Sequence, residues 1–166
     1  MASFPELRLE ALLGRLARAE VDFIVVGGVA VAFQGYGRAT KDLDITYATD
    51  AANLERLGSV LVALNAKLRG VSEDAPFVPD GRTLARTRLL TLDTDEGGLD
   101  LLADPPGAPS YATMRGRADR VDLDGIVVAV AALDDLLAMK RAAGRPQDLV
   151  DVEALEVARR LSASDD

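Results

Sequence analysis

The chain has 166 residues, a net charge of −8, no histidine and no cysteine. That excludes disulfides, thiol nucleophiles, Ser-His-Asp triads and metal sites built on imidazole or thiolate; only hard cations such as Mg²⁺ or Mn²⁺ on oxygen ligands remain. The length suits one domain, and 49% apolar residues with only 4% aromatic ones predict a core of Leu, Val and Ala. No apolar run approaches the ~18–20 residues that span a bilayer. Residues 1–10 also lack a basic region followed by a long apolar stretch. The expectation is a cytoplasmic protein with no membrane partner. The acidic balance disfavours a surface that grips nucleic acid everywhere, but permits a local basic patch.

In chain order, Leu7, Leu9, Leu12, Leu13 and Leu16 recur at near-helical spacing and predict a helix over Pro5 to Ala19. Val21 to Val26 is a β-branched run ending at Gly27-Gly28, as a buried strand would be. Val29 to Gln34 reads as a short helix, and Gly35, Gly37 and Thr40 mark a loop. Asp42 to Tyr47 alternates polar and apolar residues and predicts a strand. Asp50 caps a helix that runs through Leu64. Gly70 to Gly81 reads as a surface loop, and Arg88 to Asp93 and Leu99 to Leu102 as two strands. Tyr111 to Arg117 suggests a short helix. Val121 to Leu123 and Ile126 to Val130 form a hairpin across Asp124-Gly125. Leu133 to Ala143 is a helix stopped by Gly144, and Gln147 to Leu161 is the last one. The order predicts an α/β or α+β sheet with helices packed on it, in one domain over residues 1–161 with a frayed tail at 162–166.

The strongest chemical signal is Gly27-Gly28 followed by Arg38, Thr40, Asp42 and Asp44. Asp42 and Asp44 lie two apart on a strand, so both side chains leave one face while Leu43 and Ile45 face the core. Such carboxylates suit a metal that bridges phosphate oxygens and stabilises developing charge. Glycines between a strand and a helix let phosphate approach the backbone. Arg38 and Lys41, in the loop, can neutralise it. Taken singly, a Gly-Gly turn or an Asp-x-Asp on a solvated strand face is ordinary; the joint order carries the signal. A P-loop is excluded because Gly-x-x-x-x-Gly-Lys-Ser/Thr is absent, and a dinucleotide site because Gly-x-Gly-x-x-Gly is absent.

The run from Val26-Gly27-Gly28-Val29-Ala30 through Gly35-Tyr36-Gly37-Arg38-Ala39-Thr40-Lys41-Asp42-Leu43-Asp44 resembles the nucleotidyltransferase (polymerase-β-like) superfamily. Within it, the chain is most similar to minimal AbiEii-like nucleotidyltransferases, which include MenT-like toxins. A Lys on one helix and an Asp at the start of the next, here Lys140 and Asp148, match that group more loosely. The resemblance implies a mixed β-sheet flanked by helices, an NTP on Gly27, Gly28, Arg38, Thr40 and Lys41, and metal on Asp42 and Asp44. It also implies a third acidic residue on a neighbouring strand. Asp100 is the best match, flanked by apolar residues where a lone carboxylate is costly without a partner such as a metal. Asp93 and Asp95 are weaker, lying nearer the turn. Lys140 would touch the nucleotide; its bland reading is a helix-end cation. Asp148 either orients Lys140 or is an early-turn helix charge, and Arg145 reads as structural. Two departures stand out: Gly28 replaces the Ser of the usual Gly-Ser pair, and the C-terminal helical region is short.

The resemblance implies transfer of a nucleoside monophosphate, with Asp100 as metal ligand or as base toward an acceptor hydroxyl. The implied acceptor is the 3′ end of a tRNA, making the protein a toxin with a cognate antitoxin. Rival readings are an antitoxin that attaches AMP to a partner toxin, and a non-catalytic interaction module. A small-molecule acceptor is less expected, since no large pocket domain is visible.

Overall fold

The computed structural model describes residues 5–72 and 74–165. The elements run α1 (Leu9–Arg18), β1 (Phe23–Val26), α2 (Gly27–Phe33), β2 (Asp42–Tyr47), α3 (Ala51–Ala63), β3 (Lys67–Leu68) and α4 (Gly81–Ala85). There follow β4 (Leu89–Thr94), β5 (Gly97–Leu102), α5 (Tyr111–Arg117), β6 (Asp119–Leu123), β7 (Ile126–Val130), α6 (Leu133–Ala143) and α7 (Pro146–Ser164). The strands form one seven-stranded sheet in the order β3-β4-β5-β2-β1-β7-β6. It is mixed: β1 pairs antiparallel with β2 and parallel with β7, and β2 runs parallel to β5. The α/β prediction of a mixed sheet flanked by helices therefore holds. Among the described residues no helix is long and apolar enough to cross a membrane.

The central position of β1 follows from its composition. Phe23-Ile24-Val25-Val26 is apolar on both faces, and all four residues are buried. Its neighbour β2 alternates, burying Leu43 and Ile45 while Asp42 and Asp44 stay part-exposed on the other face. Leu12, Leu13 and Leu16 of α1 are fully buried, and that helix packs on β7 and α3. Local signals set several boundaries. Asp50 and Ser110 accept hydrogen bonds from the N–H groups of Asn53 and Thr113 and so cap α3 and α5. Asp124 and Gly125 both take positive φ, 52° and 91°, as a two-residue hairpin turn requires.

Several elements differ from expectation: α2 starts at Gly27 and not Val29, β5 at Gly97 and not Leu99, β6 at Asp119 and not Val121, and β3 is not among the predicted elements. The first helix starts at Leu9 rather than Pro5. The last begins at Pro146, whose fixed φ suits a first helical position, and stays helical to Ser164, three residues past Leu161. The predicted loop ends in α4, capped by Asp80, whose carboxylate accepts the Thr83 N–H at 2.8 Å. Gly58 lets that segment close on α3, because a Cβ there would lie 2.5 Å from the Pro79 carbonyl oxygen.

One buried polar side chain ties the ends of the two central strands together. Asn53 is fully buried; its Oδ1 accepts the Asp22 N–H at 2.7 Å, and its Nδ2 donates to the Asp22 and Ala48 carbonyls at 3.0 and 2.7 Å. Asn53→Ala strands all three partners and should destabilise the chain by about 2–4 kcal/mol. Urea denaturation measures this, and a loss below about 1 kcal/mol would show that water replaces the amide freely.

Candidate active site

The register between β2 and β5 builds the acidic half of the site. Asp44 lies opposite Asp100, and Asp42 opposite Gly98. Across the other edge of β2, Asp44 pairs with Val26, the last residue of β1. Gly27, next in the chain, turns at φ +67° into α2 and lies directly under the Asp44 carboxylate: a Cβ there would sit 1.9 Å from Asp44 Oδ2. Any side chain at position 27 would push that carboxylate out of place, and a positive φ would strain it besides.

Burial raises the Asp44 carboxyl to about 7, and the Asp100 and Asp42 carboxylates add to the rise. Lys140 opposes it. Asp100 is also raised, mainly by burial, with a hydrogen bond to Asp44 and then the Arg69 charge acting against the shift. Two like charges on adjacent strands in a desolvated site cannot both ionise cheaply. Lys140 offsets this only in part, so the Asp44–Asp100 pair stays short of positive charge.

Part of the missing charge comes from a residue the sequence did not single out. Arg69, just past β3, places its guanidinium 3.2 Å from Asp42, 3.2 Å from Asp100 and 3.1 Å from Asp93. Asp93 serves as this arginine's partner, and Asp95 accepts a hydrogen bond from Asn65. Among the described residues no group of three acidic side chains is arranged to hold one ion, and Asp42 and Asp100 are both ion-paired to Arg69. The chemistry of the donor set still suits a hard cation. It consists of carboxylates, and Asp100 Oδ1 is buried and accepts no hydrogen bond from any described group.

The basic half lies on the other side of Gly27-Gly28. Lys140 of α6 is buried, with Nζ 3.1 Å from Asp148 Oδ1 and 2.9 Å from Asp151 Oδ2. It is no solvated helix-end cation. Arg38 forks onto Asp151, with Nε and Nη2 each 2.9 Å from a carboxylate oxygen. Arg145 pairs with Asp148 at 2.8 Å, and Gln147 donates to Asp151 at 2.9 Å. Asp148 combines both of its predicted readings: it accepts the Arg145 backbone N–H at the start of α7 and holds Lys140. Burial pushes Asp148 and Asp151 up, but the surrounding cations and hydrogen bonds outweigh it and hold both carboxyls below their usual range. Asp151 was missed because it reads as one more polar residue of the last helix. Its spacing three after Asp148, on the same helix face, is the signal that would have found it.

Gly28 explains the departure from Gly-Ser. A Cβ at this position would meet the Thr40 methyl carbon at 2.7 Å and Arg38 Nη2 at 3.0 Å. Arg38 and Thr40 thus fill the space that a serine side chain would need. Lys41 is exposed at the mouth of a groove of about 750 Å³ that also borders Asp42, Arg69, Asp93 and Glu6. A narrow apolar slot of about 80 Å³ opens on the other side, between Gly27, Pro105, Leu136, Met139 and Lys140. The structure thus brings Gly27, Gly28, Arg38, Thr40, Lys140 and Asp148 together beside Asp42, Asp44 and Asp100, with Lys41 at the rim.

This architecture is that of a nucleotidyltransferase fold. The chain superposes on a Thermotoga maritima protein described provisionally as a nucleotidyltransferase, with a TM-score of 0.50 and 17% identity over 96% of this chain and 97% of that one. It is similar to ANT(2'')-Ia in complex with adenylyl-2''-tobramycin, at TM-score 0.52 and 15% identity over 94% and 95% of the two chains. It is also similar to the lincosamide antibiotic adenylyltransferase LnuA, bound to lincomycin, at TM-score 0.61 and 13% identity over 93% and 98%. No family model and no curated protein sequence matches the chain.

The raised Asp44 carboxyl has a stability consequence. An aspartate held up to about 7 in the folded chain binds a proton that the unfolded chain has released. Its contribution to stability therefore falls as pH rises from about 4 toward 7, and stays low above that. In EDTA, Asp44→Asn should melt higher than the wild type at pH 8, with the gap closing toward pH 5. Equal melting curves across that range would contradict the buried repulsion.

Proposed function

We propose that this chain is a Mg²⁺-dependent nucleotidyltransferase that moves a nucleoside monophosphate from an NTP to an acceptor hydroxyl. The observation that carries this reading is the pairing of Asp44 with Asp100 over Gly27, next to the Arg38–Lys140–Arg145 cluster. Asp42, Asp44 and Asp100 would hold Mg²⁺, or Mn²⁺, which supplies the positive charge that phosphoryl transfer needs. The triphosphate lies over Gly27 and Gly28 with Arg38 and Lys140 against its oxygens, held in place by Asp151 and Asp148. Thr40 backs Gly28, and Lys41 adds charge at the rim. The base lies toward the apolar slot beside Met139. The acceptor enters by the groove at Asp42. Its hydroxyl oxygen attacks the α-phosphorus and gives up its proton, to Asp100 if that carboxylate serves as the base instead of as a metal ligand, and otherwise to water. The bond to the β-phosphate oxygen breaks, and pyrophosphate leaves.

The resemblance to the minimal AbiEii/MenT-like group supports a tRNA 3′ end as acceptor, in a toxin controlled by a cognate antitoxin. The groove is lined by Glu6, Asp42 and Asp93 as well as Lys41 and Arg69, so the support for a tRNA acceptor is the resemblance and not the charge of the groove. An antitoxin-type reading, with AMP attached to a partner toxin, uses the same chemistry. A small-molecule acceptor gains support from one observation. LnuA, an antibiotic adenylyltransferase, is matched over 98% of its length, so a chain of this size has room for such an acceptor.

The test is incubation with each α-³²P-labelled NTP, Mg²⁺, total tRNA, cell protein extract and a panel of hydroxyl-bearing small molecules. The wild type should transfer label to one acceptor class, and an Asp42→Ala, Asp44→Ala double variant should transfer at least about 10³-fold less. No transfer and no NTP binding by the wild type would favour the non-catalytic interaction module.

A further inference from the structure

Arg69 owes its place to three features of the sheet. Its backbone N–H donates to the Thr91 carbonyl at 2.9 Å, continuing the short pairing of β3 with β4. Its guanidinium is anchored on β4, with Nε donating to Asp93 Oδ1 at 3.1 Å and Nη2 to the Leu92 carbonyl at 2.8 Å. From there it reaches over Gly98, which pairs with Asp93 on one side and Asp42 on the other. A Cβ at position 98 would lie 2.8 Å from Arg69 Nη2 and 1.9 Å from Asp42 Oδ1. The missing side chain at Gly98 is what lets the arginine and the carboxylate meet.

The contacts differ in kind. The hydrogen bonds of Arg69 go to β4. Its approaches to Asp42 and Asp100, both 3.2 Å, are ion pairs without hydrogen-bond alignment, and Asp100 Oδ1 remains buried without a donor. The arginine sets its charge against both carboxylates, while its well-aligned hydrogen bonds go to Asp93 and the Leu92 carbonyl. That is the arrangement of a counter-charge that a better ligand can displace, rather than of a closed structural ion pair.

We infer that Arg69 is the resident counter-charge of the carboxylate site, and that a divalent ion must compete with it for Asp42 and Asp100. This rests on the reading of Asp42, Asp44 and Asp100 as metal ligands. The ion alone then binds weakly, because it enters next to a fixed positive charge. The phosphates of an NTP restore the balance, so the metal is taken up with the nucleotide. Asp93 and the Leu92 carbonyl keep hold of the guanidinium when the ion displaces it, so the arginine stays at the rim of the acceptor groove.

The test is Mn²⁺ binding to the full chain without nucleotide, read from the electron paramagnetic resonance signal of the free ion. Wild type, Arg69→Gln and Arg69→Lys are compared, with circular dichroism and melting temperature reporting the fold. Arg69→Gln should bind Mn²⁺ about tenfold tighter, since removing one charge at this range changes affinity by that order. Arg69→Lys, which keeps the charge and loses the fork, should fall between the two. It reads the same effect if Arg69→Gln does not fold. Unchanged or weaker Mn²⁺ binding by a folded variant overturns the inference and leaves the metal-site reading intact, provided the wild type binds. Failure of every variant and the wild type to bind Mn²⁺ overturns both.

Discussion

The structure is organised around a repulsion. Parallel pairing of β2 with β5 sets Asp44 beside Asp100, and the end of β1 presses Gly27 against the same carboxylate. The apolar packing of Leu43, Ile45, Leu99 and Leu101, all fully buried, fixes the strands that carry these charges. Such a site stores electrostatic free energy that a cation releases on binding.

Cations stand on both sides of it, and they are held differently. On the inner side, Lys140 and Arg38 are locked onto Asp151, which has no exposed surface, and Lys140 also onto Asp148. Removing any one member would leave a buried charge uncompensated, so the network is rigid. On the outer side, Arg69 leans on Asp42 and Asp100 without hydrogen bonds and borders an open groove. In the proposed reading the inner cluster presents fixed charge to the triphosphate, and the outer arginine yields to the metal.

Much of this was legible in the sequence, because the alternation of β2 puts Asp42 and Asp44 on one face whatever the tertiary fold. Asp100 was legible for a related reason: a carboxylate among Leu99, Leu101 and Leu102 demands a partner. Lys140 and Asp148 were found by resemblance, and the structure shows the ion pair between them. Arg69 was not legible. The strand before it has only two residues, and its role exists only through pairing with β4 and the gap at Gly98. Asp151 was half-legible: its spacing from Asp148 puts both on one helix face, but that this face meets Lys140 of α6 depends on tertiary packing. The helix α4 was masked by the surrounding Pro and Gly residues, which signal a loop locally.

The central claim is that the carboxylates and the inner cations form one site for a metal-bound triphosphate. Calorimetric titration with a non-hydrolysable NTP analogue, in Mg²⁺ and in EDTA, tests it most directly. The account predicts that Mg²⁺ tightens nucleotide binding by about 100-fold, a coupling of the size expected between ligands that share one site. Equal affinity in Mg²⁺ and EDTA would contradict it, because the acidic half would then take no part in holding the nucleotide.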